Sequence, residues 1–106
     1  MTTWTVPGTV VRVIDADTLL LDLDLGWRIT YRARCRLAAV NAPEMATEAG
    51  VAAKVFVDGL CPPGCLVTFV SKQLDNYGRP LGTVRLPDGS YLAEQLLAAG
   101  HAVPYP

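Results

Sequence analysis

Two adjacent stretches of the chain alternate apolar and polar residues with a period of two. In Thr18–Leu25, residues Leu19, Leu21, Leu23 and Leu25 fall on one side, and Asp22 and Asp24 on the other. In Arg28–Val40, residues Tyr31, Ala33, Cys35 and Leu37 alternate with Arg32, Arg34 and Arg36. Successive side chains of a strand point to opposite faces, so this rhythm specifies half-buried strands and excludes helix. Leu25-Gly26-Trp27 reads as the turn between them, and Thr9–Ile14, β-branched and apolar, as a preceding strand. The three predict a meander.

Asn41-Ala42-Pro43-Glu44 ends that sheet, since Pro43 cannot donate to a ladder. Thr47 suits the N-cap of a helix running to about Leu60, with Glu48 favourable in its first turn. Ala49, Ala52, Ala53, Phe56 and Leu60 are its expected buried stripe, and Gly59 a stop signal. After a Cys61–Gly64 loop, Cys65–Val70 and Leu81–Leu86 read as strands joined by a turn at Asp75–Gly78. Asp88-Gly89 is another turn, and Leu92–Ala99 a short helix stopped by Gly100. The order β-β-β-α-β-β-α predicts a mainly β, α+β domain. It suits a five-stranded OB-fold barrel with one helix between strands three and four and a short C-terminal helix. A chain of 106 residues is expected to be this one domain, residues 1–106.

With 51% hydrophobic and 18% charged residues, the sequence is one that folds. Nine basic against ten acidic residues, a net charge of −1, argue against nucleic-acid binding by bulk charge alone. The charges are unevenly spread, however, with Arg28, Arg32, Arg34 and Arg36 close together. No apolar run is long enough for a membrane helix, and Met1–Pro7 carries no basic-then-apolar leader. Three cysteines, an odd number, are too few for a disulfide framework. A cytoplasmic protein is expected, in a host cytoplasm if phage-encoded, with no membrane partner and a monomeric state.

Several polar residues stand where a core does not need them. Asp15 and Asp17 end the first strand, Arg36 and Glu44 lie eight residues apart on what reads as the third, and Arg79 follows the Asp75–Gly78 turn. Scaffold ends and loops are where catalytic groups collect. Guanidinium pairs clamp phosphate oxygens bidentately, a hard cation on oxygen ligands orients water, and a carboxylate takes its proton. By composition alone this set is weak, because any small domain offers two arginines and three acids.

The order of the segments sharpens it. Val13-Ile14-Asp15-Ala16-Asp17-Thr18 is followed by Arg36-Leu37-Ala38-Ala39-Val40-Asn41-Ala42-Pro43-Glu44. Then come Asp75-Asn76-Tyr77-Gly78-Arg79, Asp88-Gly89 and a Leu-rich helix. From about Thr9 to Ala102 this resembles the staphylococcal nuclease-like (thermonuclease) family. The resemblance implies an OB-type barrel and calcium-dependent hydrolysis of DNA and RNA, leaving 3′-phosphorylated ends, with unpaired single strands the expected substrate. It assigns Asp17 and the Ala42 carbonyl to the metal, Arg36, Glu44 and Arg79 to catalysis, and Tyr77 to substrate phosphate. Arg34, Lys72 and Arg32 are further candidates for substrate binding, and Asp15 for supporting the metal ligands.

One departure bears on the metal. Asn41 stands where the family usually has a second metal-binding aspartate. An amide oxygen can still ligate calcium but brings no charge, so weaker binding than in a typical member is expected. That change keeps a second reading open, a catalytically weak or inactive module that binds nucleic acid or a protein. Glu44 argues against it, since a carboxylate facing phosphates repels them. A structural barrel within an assembly would leave the whole set unexplained.

Plainer readings stand beside these. Arg32 and Arg34 also suit the solvated face of a strand, and Asp22 and Asp24 surface acids that discourage edge pairing. Cys61-Pro62-Pro63-Gly64-Cys65 has the spacing of half a zinc site. Inert thiols are the preferred reading, ahead of a reversible disulfide and of zinc. His101, just past a helix end, is expected to cap carbonyls.

Overall fold

In the computed structural model, residues 4–105 are described. Five strands close a barrel in the order β1-β2-β3-β6-β5. They are β1 (Trp4–Asp15), β2 (Thr18–Asp24), β3 (Thr30–Leu37), β5 (Leu66–Leu74) and β6 (Pro80–Arg85). The short β4 (Val40–Asn41) pairs with β7 (Val103–Pro104) outside the barrel. Helix α1 (Glu48–Leu60) lies between the third and fifth strands of the chain, and α2 (Leu92–Ala98) follows β6. This is the expected mainly β, OB-type architecture.

The period-two pattern does what it predicts at the centre of the sheet. Leu21 sits between Val10 of β1 and Ala33 of β3, and all three are buried. Leu19, Leu23, Cys35, Leu37, Phe69 and Val84 complete the barrel interior. On the outer face Asp22 opposes Arg32, and the two form a bidentate pair at 2.8 and 3.0 Å. β2 is flanked on both sides, so Asp22 guards no sheet edge. Asp24 accepts from the Gly26 N–H in the following turn.

Barrel closure is narrow. β3 and β6 run parallel and pair only at Arg36–Leu81 and Leu37–Gly82. On the other side of β6, a side chain at Gly82 would collide with the Val70 carbonyl of β5, so glycine is what lets β5 and β6 approach there. The Leu37 N–H donates to the Asp17 carbonyl and the Ala38 N–H to that of Gly82, both at 2.8 Å.

Three expectations need correction. Arg28–Val40 is not one strand: β3 stops at Leu37, the backbone turns at Ala39 with φ 67°, and β4 is separate. Arg36 and Glu44 therefore do not share a strand. The buried side of α1 is Gly50, Ala53 and Val57, with Ala49 and Ala52 exposed. The helix is rotated because Gly50 packs on the Glu44 backbone, where a side chain would overlap the carbonyl. Gly59 does not stop it; the helix continues through Leu60 and Cys61 closes it by donating to the Val57 carbonyl. Thr47 is the N-cap, its hydroxyl accepting from the Gly50 N–H at 3.0 Å.

Cys35 and Cys61 are buried, and burial pushes each thiol up to about 12. Thiols held that far from ionisation are poor nucleophiles and poor metal ligands. The His101 ring does not cap α2; the backbone N–H of His101 donates to Leu96, and the ring packs on Phe56 with centroids 4.8 Å apart. No helix of the described residues is long and apolar enough to cross a membrane.

Candidate active site

The end of β3, the β5–β6 turn and the β4–β7 ladder converge on one cavity of about 440 Å³. Its wall includes Arg36, Asn41, Asp75, Tyr77, Arg79 and Tyr105.

Arg36 is fixed before any ligand arrives. One terminal nitrogen donates to the Leu37 carbonyl at 2.7 Å and to the Val40 carbonyl at 3.0 Å. The other reaches the Asn41 amide oxygen at 3.4 Å and lies 3.5 Å from the Asp17 carboxylate. The reversal at Ala39 is what brings the Val40 carbonyl back over β3 to receive it. The guanidinium also lies over the Tyr105 ring, 6.0 Å from its centroid.

Arg79 is held by a different device. Asp75 opens the turn, and its carboxylate accepts from the Tyr77 N–H at 2.8 Å and the Arg79 N–H at 2.9 Å. The same carboxylate takes the Arg79 Nε–H at 2.6 Å. Gly78, at φ 78°, lets the turn close. Burial pushes the Asp75 carboxyl up, but the two N–H groups and the guanidinium hold it below the usual carboxylate range. The terminal nitrogens of Arg79 make no hydrogen bond with described residues, so they are left to face the cavity.

Behind Arg36 lies Asp17, buried at the β1–β2 turn. One of its oxygens accepts from the Ala42 N–H at 3.0 Å. Burial would raise this carboxyl, yet a hydrogen bond from Asp15, the Ala42 N–H and the Arg36 charge hold it down. Asp15 goes the other way, to about 6, through burial, its hydrogen bond to Asp17 and the charge of that neighbour. The Asp15 Oδ1 atom is buried without a hydrogen-bond partner.

A family model described as "Staphylococcal nuclease homologue" matches residues 34–106. The chain belongs to the staphylococcal nuclease homologue family. It is also 36% identical over 99 residues to a protein named "Uncharacterized endonuclease" from Escherichia coli O157:H7, and to one of the same name from Escherichia coli. Each alignment covers 92% of this chain and 60% of the relative, so the chain spans less than two thirds of their length.

In this staphylococcal nuclease homologue the expected residues divide. Arg36, Asn41, Tyr77 and Arg79 share the cavity, and Tyr77 stacks under Arg79 at 5.4 Å. Asp17, Ala42 and Asp15 lie behind it. Glu44 does not line it; the residue is exposed in the segment that leads into α1. The Glu44 backbone is nevertheless pinned, its carbonyl accepting from the Thr47 hydroxyl at 2.6 Å and N–H at 3.0 Å. Arg34 and Lys72 are exposed outside the cavity, and Arg32 is occupied by Asp22.

The donors suit a hard cation. Asp17, the Asn41 amide, the Ala42 carbonyl and the orphaned Asp15 oxygen are all oxygen. They do not amount to three closely grouped His, Cys, Asp or Glu side chains, a combination absent among the described residues. Asn41 and a backbone carbonyl must supply the remainder.

Two residues escaped the sequence reading. Tyr105 is carried to the cavity by the pairing of Val40 with Pro104 and by its N–H bond to the Ala39 carbonyl at 2.9 Å. Nothing local to Tyr105 announces that. Asp75 did carry a signal: an Asp opening an Asp-x-x-Gly turn bonds the backbone ahead of it.

Proposed function

We propose that this protein is a metal-dependent nuclease that hydrolyses phosphodiester bonds of single-stranded or unpaired DNA or RNA. The observation that carries the reading is that Arg36 and Arg79 face one cavity, each steadied on one side by a carboxylate. A phosphodiester is the ligand two such forks suit, because attack on phosphorus spreads negative charge over its equatorial oxygens.

In this reading the phosphate sits between the two guanidinium groups. Tyr77 donates its hydroxyl to a phosphate oxygen. Glu44, on its pinned backbone, turns inward and accepts a proton from water as the water oxygen bonds to phosphorus. The opposite P–O bond breaks, and its electron pair leaves with the 5′ oxygen. The resting exposure of Glu44 fits a group that engages when substrate closes the site. Asp17, Asn41 and the Ala42 carbonyl would hold calcium, with Asp15 behind them. Bound there, the cation supplies charge neutralisation and orients water. Because Arg36 is prefixed by backbone carbonyls, little ordering remains for it when substrate binds.

The test is release of acid-soluble nucleotides from denatured DNA and from RNA, with calcium and then with excess chelator. Calcium-dependent release that disappears in Glu44→Ala is expected. A folded wild-type protein inert at millimolar calcium would overturn the proposal. It would favour the binding-module reading, for which the neutral Asn41 is the specific observation.

A further inference from the structure

A second cavity, of about 260 Å³, opens on the barrel beside the first. Its wall is almost entirely apolar and includes Trp4, Leu25, Tyr31, Phe69, Leu74 and Pro80. It exists because barrel closure is short. β3 meets β6 only from Arg36 onward, so the earlier part of β3, with Tyr31 near its start, has no β6 partner. Tyr31 has the inward parity of Ala33 and Cys35, yet it is 52% exposed, and Trp4 across the opening is 57% exposed.

The adjoining β2–β3 turn is unusual. Gly26, Trp27 and Arg28 all have positive φ, at 85°, 55° and 62°. For a bulky residue that conformation is uncommon and costs energy. Here it leaves the Trp27 indole 96% exposed, on the turn that begins at Leu25 of the cavity wall.

We infer that this aromatic opening, Trp4 and Tyr31 with Trp27 at its rim, is a stacking site for unpaired bases of the substrate strand outside the scissile phosphate. The inference rests on the nuclease reading. It commits to nucleobases on three grounds. The opening adjoins the candidate active site, since Gln73 and Leu74 form part of both walls. Arg34, exposed and without an ion pair among the described residues, lies on the same outer face of β3 as Arg36, so a strand leaving Arg36 would pass its charge before reaching the barrel end where Tyr31 lies. Flat exposed rings beside a cationic track are what single-stranded nucleic acid uses. Tyr31 lies five residues from Arg36, about 17 Å along the strand, within reach of about five stacked nucleotides.

The test uses the full chain with Trp27→Phe, which leaves Trp4 as the sole tryptophan of the two. Glu44→Gln is added to block turnover, and calcium is present. Titration with oligothymidylates of two and eight nucleotides is followed by Trp4 fluorescence and, independently, by anisotropy of an end-labelled strand. Saturable quenching by the octamer and not by the dimer is expected. In parallel, with Glu44 intact, Trp4→Leu should lower kcat/KM for the octamer by about 5- to 150-fold, the range for one lost base stack. Trp4→Phe should restore most of it, and dinucleotide cleavage should stay near wild type in both. An octamer that binds by anisotropy without changing Trp4 fluorescence overturns the inference. So does fluorescence that responds to protein concentration alone, which would place a second copy of the chain on this face. If the wild type cleaves neither oligomer, the nuclease reading fails, and the titration still decides whether bases reach Trp4.

Discussion

Gly50 of α1 lies so close to the Glu44 carbonyl that no side chain fits between them. The first turn of the helix and the backbone of the candidate general base are packed as one piece, with Thr47 bonded to both. Gly50→Ala would gain about 1 kcal/mol of helix propensity. It must nonetheless push α1 away from residue 44, and overpacking of this kind costs about 1–3 kcal/mol. The steric term wins. The expected result is a lower Tm and a larger fall in kcat than in KM. A variant as stable and active as wild type would show that Glu44 does not depend on this contact.

The two arginines should respond differently to lysine. Arg36 satisfies the Leu37 and Val40 carbonyls as well as facing the cavity, so Arg36→Lys should lower both Tm and turnover. Among the described residues the Arg79 side chain bonds only Asp75 of its own turn, so Arg79→Lys should leave Tm nearly unchanged. Loss of one preorganised donor to a developing charge costs about 10²- to 10³-fold in rate. Thermal melts and nucleotide release on the same preparations separate the cases. Near-normal turnover in Arg79→Lys would argue against the phosphate clamp.

Asn41→Asp should tighten calcium binding by at least about tenfold, since it adds a charge to a set that otherwise has one ionised carboxylate at its centre. Isothermal titration with calcium alone measures this without relying on turnover. An unchanged Kd would mean that Asn41 is not a ligand, and that its contact with Arg36 is its whole role.

Asp15 gives a pH dependence whose sign can be worked out. Its folded pKa is raised to about 6 from 3.8, so the folded state holds the proton more tightly than the unfolded state. Stability from this group is present at low pH, falls as pH rises from about 4 to about 6, and is level above that. Asp15→Asn removes the penalty. In chelator it should raise Tm at pH 7–8 by about 5 °C, with the gain vanishing below about pH 4. A gain that persists at pH 3.5 would assign it to packing rather than to the proton.

Much of the fold was legible because β2, flanked by β1 and β3 along its length, leaves the pattern no freedom. Leu19, Leu21 and Leu23 must face the interior, and they do. Thr47 was legible as a cap for the same local reason. The pattern failed where local chemistry does not decide. Ala39 takes a positive φ with no residue type to signal it, so the break between β3 and β4 was invisible. Tyr31 keeps the interior parity but lacks the neighbouring strand that would bury it. Tyr105 reaches the site through a pairing more than sixty residues away in sequence from Val40, a long-range event that no window contains.

The two-pair seam between β3 and β6 sets the time-resolved behaviour of the molecule. Arg36 belongs at once to that seam and to the candidate site. With so few bonds to part, the amide hydrogen of Ala38, which is bonded across the seam to the Gly82 carbonyl, should trade for deuterium ahead of those in the β1–β2 centre. Each such opening carries Arg36 away from Arg79. The barrel can thus stay folded while its clamp is briefly undone, and a ligand spanning both arginines would slow that exchange.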